Sequence, residues 1–196
     1  MYINDFYENH GTWRHIMHKG TEPDSRQLDT PNWEDILADF PDQSVGIWMA
    51  PYNNNIRIAL TTLTTNYTDQ APLPAPHAMV QDLLDNRQVA GRRVAGYAKN
   101  VEFLDIPHFP NKKLVHLSVN VLDNSLEVYK DGLLYKTFHL VGRPEFNKGG
   151  NLYMLKPKTL DGSLFNVTYN PRYLGIAGIK KLMADADKLK SQIING

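Results

Sequence analysis

Leu114-Val115-His116-Leu117-Ser118-Val119-Asn120-Val121-Leu122-Asp123-Asn124-Ser125-Leu126-Glu127-Val128-Tyr129-Lys130-Asp131-Gly132-Leu133-Leu134-Tyr135 begins the stretch, running on to Tyr169, that decides the fold. Val115, Leu117, Val119 and Val121 alternate with His116, Ser118 and Asn120. That period of two places an apolar row on a core and a polar row on the opposite face of a β-strand. Asp131-Gly132 is the dipeptide that a two-residue hairpin turn prefers, because both central residues take positive φ. Asp123-Asn124 marks another turn, and Gly149-Gly150 and Asp161-Gly162 punctuate the rest, with a last strand expected through Leu164–Tyr169. The pattern is an antiparallel meander, so the fold class is mostly β.

Working outward, residues 1–20 read as two strands. Strict alternation in the second places Trp13, His15 and Met17 on one side and Arg14, Ile16 and His18 on the other. Residues 21–43 form a polar connection with a short helix expected at 32–37, capped by Thr30 with Pro31 at its first position. Ser44–Met49 and Ile56–Thr64 are strands joined through Pro51-Tyr52-Asn53-Asn54-Asn55, a hairpin loop of residues that tolerate left-handed conformations. Residues 66–99 carry Pro72, Pro74 and Pro76 and the weakest pattern, and read as a long insertion with a short helix over 77–87. At the C-terminus Ile179, Leu182, Ala186, Leu189 and Ile193 recur at steps of three and four, the stripe of an amphipathic helix over 175–194. The expected organisation is a sandwich over 1–174 followed by a helical tail, 175–196.

Bulk properties narrow the function. The chain has 196 residues, 42% apolar and 21% charged, the balance of a globular domain. Formal charge is zero, which argues against a non-specific nucleic-acid binder, since that role needs clustered cations. The absence of cysteine excludes disulfides, thiolate metal sites and a cysteine nucleophile. No apolar run is long enough for a membrane span, and the first residues are not those of a signal peptide.

Several segments together resemble the concanavalin A-like jelly rolls of the laminin-G/lectin–glucanase superfamily, in the variant found in structural proteins of large double-stranded DNA viruses. They are Trp13–Gly20, Val45–Pro51 with Asn54–Ile58, Glu102–Pro107, Leu126–Gly132, Arg143–Leu152 and Leu160–Leu174. The resemblance implies a jelly-roll sandwich of two antiparallel sheets whose opening strand is missing, so that an edge near residues 1–9 stands open. It further implies a non-enzymatic minor capsid or cement protein of the virion, binding other capsid proteins. Ile3 and Phe6 at that edge, and the helical stripe Ile179, Leu182, Ala186, Leu189 and Ile193, are the expected partner contacts.

The alternatives the resemblance carries are a glycan-binding or adhesion module, extracellular or at a cell surface, and a glycoside hydrolase. Retaining hydrolysis needs two carboxyl groups about 5–5.5 Å apart on one face. Glu102 and Asp105, an odd number of residues apart, face opposite sides of a strand, so no catalytic residue is assigned. His15 and His18, three apart, are likewise expected on opposite faces and not as a metal pair. No cofactor is assigned. Calcium, which relatives hold at loop rims, has candidate oxygens in Asp123-Asn124, Asn53–Asn55 and Asp161, all of which tight turns also explain.

Overall fold

The computed structural model describes residues 1–7, 10–22, 43–64, 79–82, 87–94, 97–146, 149–156 and 160–195, with backbone alone for 64–99 where described and for 189–195. The chain is mostly β, with antiparallel sheets and one C-terminal helix. The expected helix at 32–37 falls outside these residues.

The strands are β1 (Tyr2–Asp5), β2 (Arg14–Gly20), β3 (Gln43–Met49), β4 (Ile56–Thr64), β5 (Met79–Asp82), β6 (Arg87–Val94), β7 (Tyr97–Ile106), β8 (Leu117–Leu122), β9 (Ser125–Lys130), β10 (Leu133–His139), β11 (Arg143–Pro144), β12 (Asn151–Met154) and β13 (Asp161–Ser163). Helix α1 (Ile176–Asn195) closes the chain. A large sheet runs in the order β12-β2-β3-β4-β7-β6-β5, with β11 beside the far half of β4. The meander forms a three-stranded sheet, β10-β9-β8, and β1 pairs with β13. Asp131 and Gly132 take positive φ, 52° and 73°, as a hairpin turn of this length requires.

The two larger sheets share one apolar core. Ile47, Met49, Ile56, Ile58, Leu60, Leu104 and Ile106 face Val115, Leu126, Val128 and Phe138, all buried. Each such side chain removed from water contributes about 1.5–3 kcal/mol before entropy is counted. The other face of the large sheet has its own buried cluster of Trp13, Trp48, Ala59, Val101 and Phe103. The central strands of this sheet are therefore apolar on both sides.

Three expectations are corrected. Residues 79–82 and 87–94 are strands, not a helix inside a loop, because β6 pairs with β7 and β5 with β6, extending the large sheet. Leu164–Tyr169 is not a strand despite its alternation; only Asp161–Ser163 pairs, with β1. The edge expected to stand open at residues 1–9 is occupied over Met1–Asp5. β13 pairs along one side of β1, while on the other Ile3 O accepts from Lys112 N (2.6 Å) and Met1 O from Val115 N (2.8 Å).

Glu102 ties the core layer together. Its Oε1 accepts from Thr62 Oγ1 and Gly142 N, each at 2.8 Å, and its Oε2 from Val141 N at 2.8 Å. One carboxylate thus pins the connection after β10 onto β4 and β7. Glu102→Ala leaves three donors without an acceptor and is expected to cost about 3 kcal/mol in urea unfolding. Glu102→Gln keeps the oxygen that takes two of them and is expected to cost about 1 kcal/mol. Equal losses for the two variants would contradict this role.

Candidate functional site

Side chains capable of chemistry gather on β2 because that strand is not regular. His15 pairs with Trp48 and Met17 with Ile47, so β2 carries one extra residue between them, a β-bulge. The bulge reverses the phase and brings His15 and His18 onto the same face, correcting the expectation of opposite faces. A second irregularity, between Lys19–Gly20 and Val45–Gln43, turns Gln43 toward the same cluster. There Gln43 Oε1 accepts from Trp48 Nε1 at 3.0 Å. A Cβ at Gly46 would overlap that oxygen, so glycine is required by close approach.

The histidines form a directed chain. Lys156 N donates to His15 Nδ1 (3.1 Å), which leaves the His15 proton on Nε2. That proton points at His18 Nδ1, 2.8 Å away, and His18 Nε2 then donates to Thr21 O at 2.8 Å. Every ring nitrogen has a partner when both rings are neutral. Burial, then His18 and Lys156, lowers the His15 pKa to about 3. Burial is also the main cause lowering that of His18, against the opposing bond to Thr21. Trp48 meets His15 edge-on at 4.8 Å and Tyr153 stacks on His18 at 5.2 Å. The arrangement joins β2 to β12 and to the 21–22 turn.

Two arginines are wired in a similar way. Buried Arg14 donates to the carbonyls of Phe6, Ala50 and Asn53, joining the loops at one end of the large sheet. Burial lowers its pKa to about 10, opposed by Asp5. Arg57 grips Asp105 through two bonds of 2.7 and 2.6 Å and lies over Phe103 (3.8 Å) and Trp13 (4.6 Å). Asp105 and Glu102 lie on opposite faces of β7, as their spacing predicts, and each carboxylate is held by the frame. Among the described residues no three His, Asp or Glu side chains converge as metal ligands. Three of the oxygens considered for calcium accept bonds within the chain: Asn53 Oδ1 from Asn55 N, Asn55 Oδ1 from His108 N, and Asp161 Oδ2 from Asn4 Nδ2.

The loops that Arg14 joins display aromatic rings. Phe6 stacks on Tyr7 at 4.7 Å, and His10 lies 6.2 Å from Tyr7 and 5.3 Å from Tyr52. Tyr7 is 67% exposed and Tyr52 62%.

Of the expected partner contacts, Ile3 and Ile179 are buried, each 1% exposed. Phe6 is half-buried against the core. Leu182 and Ala186 are half-buried and line, with Met183, a cavity of about 740 Å³ between α1, residues 164–174 and the sheets. Met183 was missed as part of the stripe, although it stands four residues after Ile179. It lies over Gly132, where an added Cβ would meet its methyl at 3.2 Å. Leu189 and Ile193 belong to α1, but their side chains lie outside the described ones. Among the described residues no helix is long and apolar enough to cross a membrane.

No protein-family model matches the chain, and neither does any curated protein or solved structure.

The histidine chain sets a pH dependence. Both folded-state pKa values lie below the unfolded value of about 6.5, so the unfolded chain binds more protons in acid. Their contribution is complete above pH 6.5 and is lost as pH falls from there toward 3. His15→Gln, whose amide can accept from Lys156 N and donate to His18, is expected to flatten the fall in melting temperature between pH 7 and 5. An unchanged slope would contradict the assignment.

Proposed function

We propose that the chain is a jelly-roll sandwich of the concanavalin A-like type, acting as a non-enzymatic structural protein in the particle of a large DNA virus. It is a minor capsid or cement component that works through protein–protein contacts. The observation that carries this reading is the apolar character of its sheet edges. On edge strand β10, Leu133, Leu134 and Tyr135 are 67%, 52% and 42% exposed. Edge strand β12 presents Leu152 and Met154, followed by Leu155, all exposed. Free-standing proteins blunt such edges with charge or twist, because a bare apolar edge recruits other chains. The buried carboxylates and histidines support the same reading, since each is bonded into the frame.

The test is quantitative mass spectrometry of gradient-purified particles from cells infected by the virus that carries this gene. The chain is expected at fixed stoichiometry, and Leu133→Lys with Leu134→Glu is expected to deplete it from particles while leaving its melting temperature nearly unchanged. Recovery from infected cells but never from particles would overturn the proposal.

A second reading, a glycan-binding module, is favoured by the exposed rings Tyr7, His10 and Tyr52, since flat faces at a loop rim suit stacking on sugars. A glycan array run with and without a chelator separates the two. Binding that disappears in Tyr7→Ala and Tyr52→Ala would establish the second reading at the expense of the first.

A further inference from the structure

The ring of His116 is wired unlike those of His15 and His18. Its Nδ1 is buried and has no hydrogen-bond partner among the described residues, although the residue as a whole is half-buried. Its backbone, by contrast, is fixed to the β9–β10 turn. Asp131 Oδ1 accepts from His116 N at 2.9 Å, and His116 O accepts from Asp131 N at 2.8 Å. The residue is thereby held beside Asp131-Gly132.

Helix α1 lies over the same turn. An added Cβ on Gly132 would meet Met183 Cε at 3.2 Å and Lys180 Cγ at 3.7 Å. One turn further along that side of the helix is Asp187, whose charge acts on the His116 ring. His116, Met183 and Asp187 also border one cavity. Steps of three and four, from 180 to 183 to 187, define a single face of a helix. That face is seated on the hairpin turn and on His116. The helix is further held by Ile179, 1% exposed, and by Leu174 O just ahead of it, which accepts from Asn120 Nδ2 at 2.6 Å.

Three charges face the ring, each from a different element: the amino group of Met1 ahead of β1, Asp131 at the turn and Asp187 on α1. Burial is the largest influence and lowers the His116 pKa. The Met1 charge acts the same way, the two carboxylates oppose it, and Asp187 is the weakest of the four. Neutral His116 leaves Nδ1 as an unused acceptor. Protonated His116 places a second N–H there, charged, buried and without an acceptor, which costs far more. Lifting α1 gives that N–H to water at the loss of the Asp187 attraction alone. Without the Met1 charge the midpoint would sit higher, and the proton would favour the same state.

We propose that α1 is an acid-released clasp: protonation of His116 beneath it frees the helix from the β9–β10 turn and uncovers Ile179, Leu182 and Met183. Because the docked value lies below the free one of about 6.5, docking is complete above that pH and weakens as pH falls below it. The clasp stands independently of the virion reading.

Hydrogen exchange on the full chain, corrected for the intrinsic rate at each pH, tests this. Between pH 7.5 and 5.5 the amides of residues 180–187 are expected to lose up to about tenfold in protection beyond any change in β4, which reports global opening. His116→Gln is expected to keep the helix docked at pH 7.5 and to abolish the excess loss. His116→Phe, which fills the site without titrating, is expected to do the same. Asp187→Asn removes the attraction and leaves the cover, so release is expected to move to higher pH. Protection of α1 that falls no faster than that of β4, or an excess loss that survives in both His116 variants, would overturn the proposal. So would release that moves to lower pH in Asp187→Asn.

Discussion

All nine residues of β4 pair with β7, and the architecture depends on that ladder. Ile56, Ile58 and Leu60 turn to the core shared with the meander, and Arg57, Ala59 and Thr61 turn to the second cluster. A strand buried on both faces has no solvent side on which to place a charge. Arg57 is accommodated because Asp105, its direct cross-strand neighbour, meets it in a two-bond fork, and two aromatic faces cover it. From this pair the sheet extends outward in both directions, to β12 on one side and β5 on the other.

The buried polar groups are the second level of organisation. Glu102, Arg14 and the His15–His18 chain each fasten loop or edge backbone onto the ladder. Leaving any of these groups unpaired in a low-dielectric interior would cost more than its bonds return, so each is matched to donors or acceptors fixed in place. Among the described residues, Glu102, Asp105, His15 and His18 are each bonded into the frame.

Much of this was legible in the sequence, for physical reasons that differ from element to element. The alternation of Val115 to Val121 and the Asp131-Gly132 turn declare themselves because both are local. The stripe Ile179, Leu182 and Ala186 declared α1, in which Ile179 is buried and the other two are half-buried beside the cavity. Strands 79–82 and 87–94 were illegible because pairing, of 87–94 with β7 and of 79–82 with 87–94, makes them strands, not their own pattern. The meeting of His15 and His18 was illegible because one bulged residue inverts a parity argument, and no local composition marks the bulge. Leu164–Tyr169 shows the converse, a strand-like pattern that pairing does not claim. The edge expected to stand open at residues 1–9 is instead flanked by β13 and by residues 112–115, long-range pairing that no local pattern announces.

Native-state hydrogen exchange resolved by residue tests the central claim, a sheet system ordered around β4–β7 in which β8 pairs, among the described strands, with β9 alone. The account predicts amides of β4 and β7 that exchange only through global unfolding. It also predicts alternation along β8, with Ser118 and Asn120 protected and Leu117, Val119 and Val121 exchanging far faster. Uniform protection along β8, or rapid exchange at Ile58 and Leu104, would contradict it.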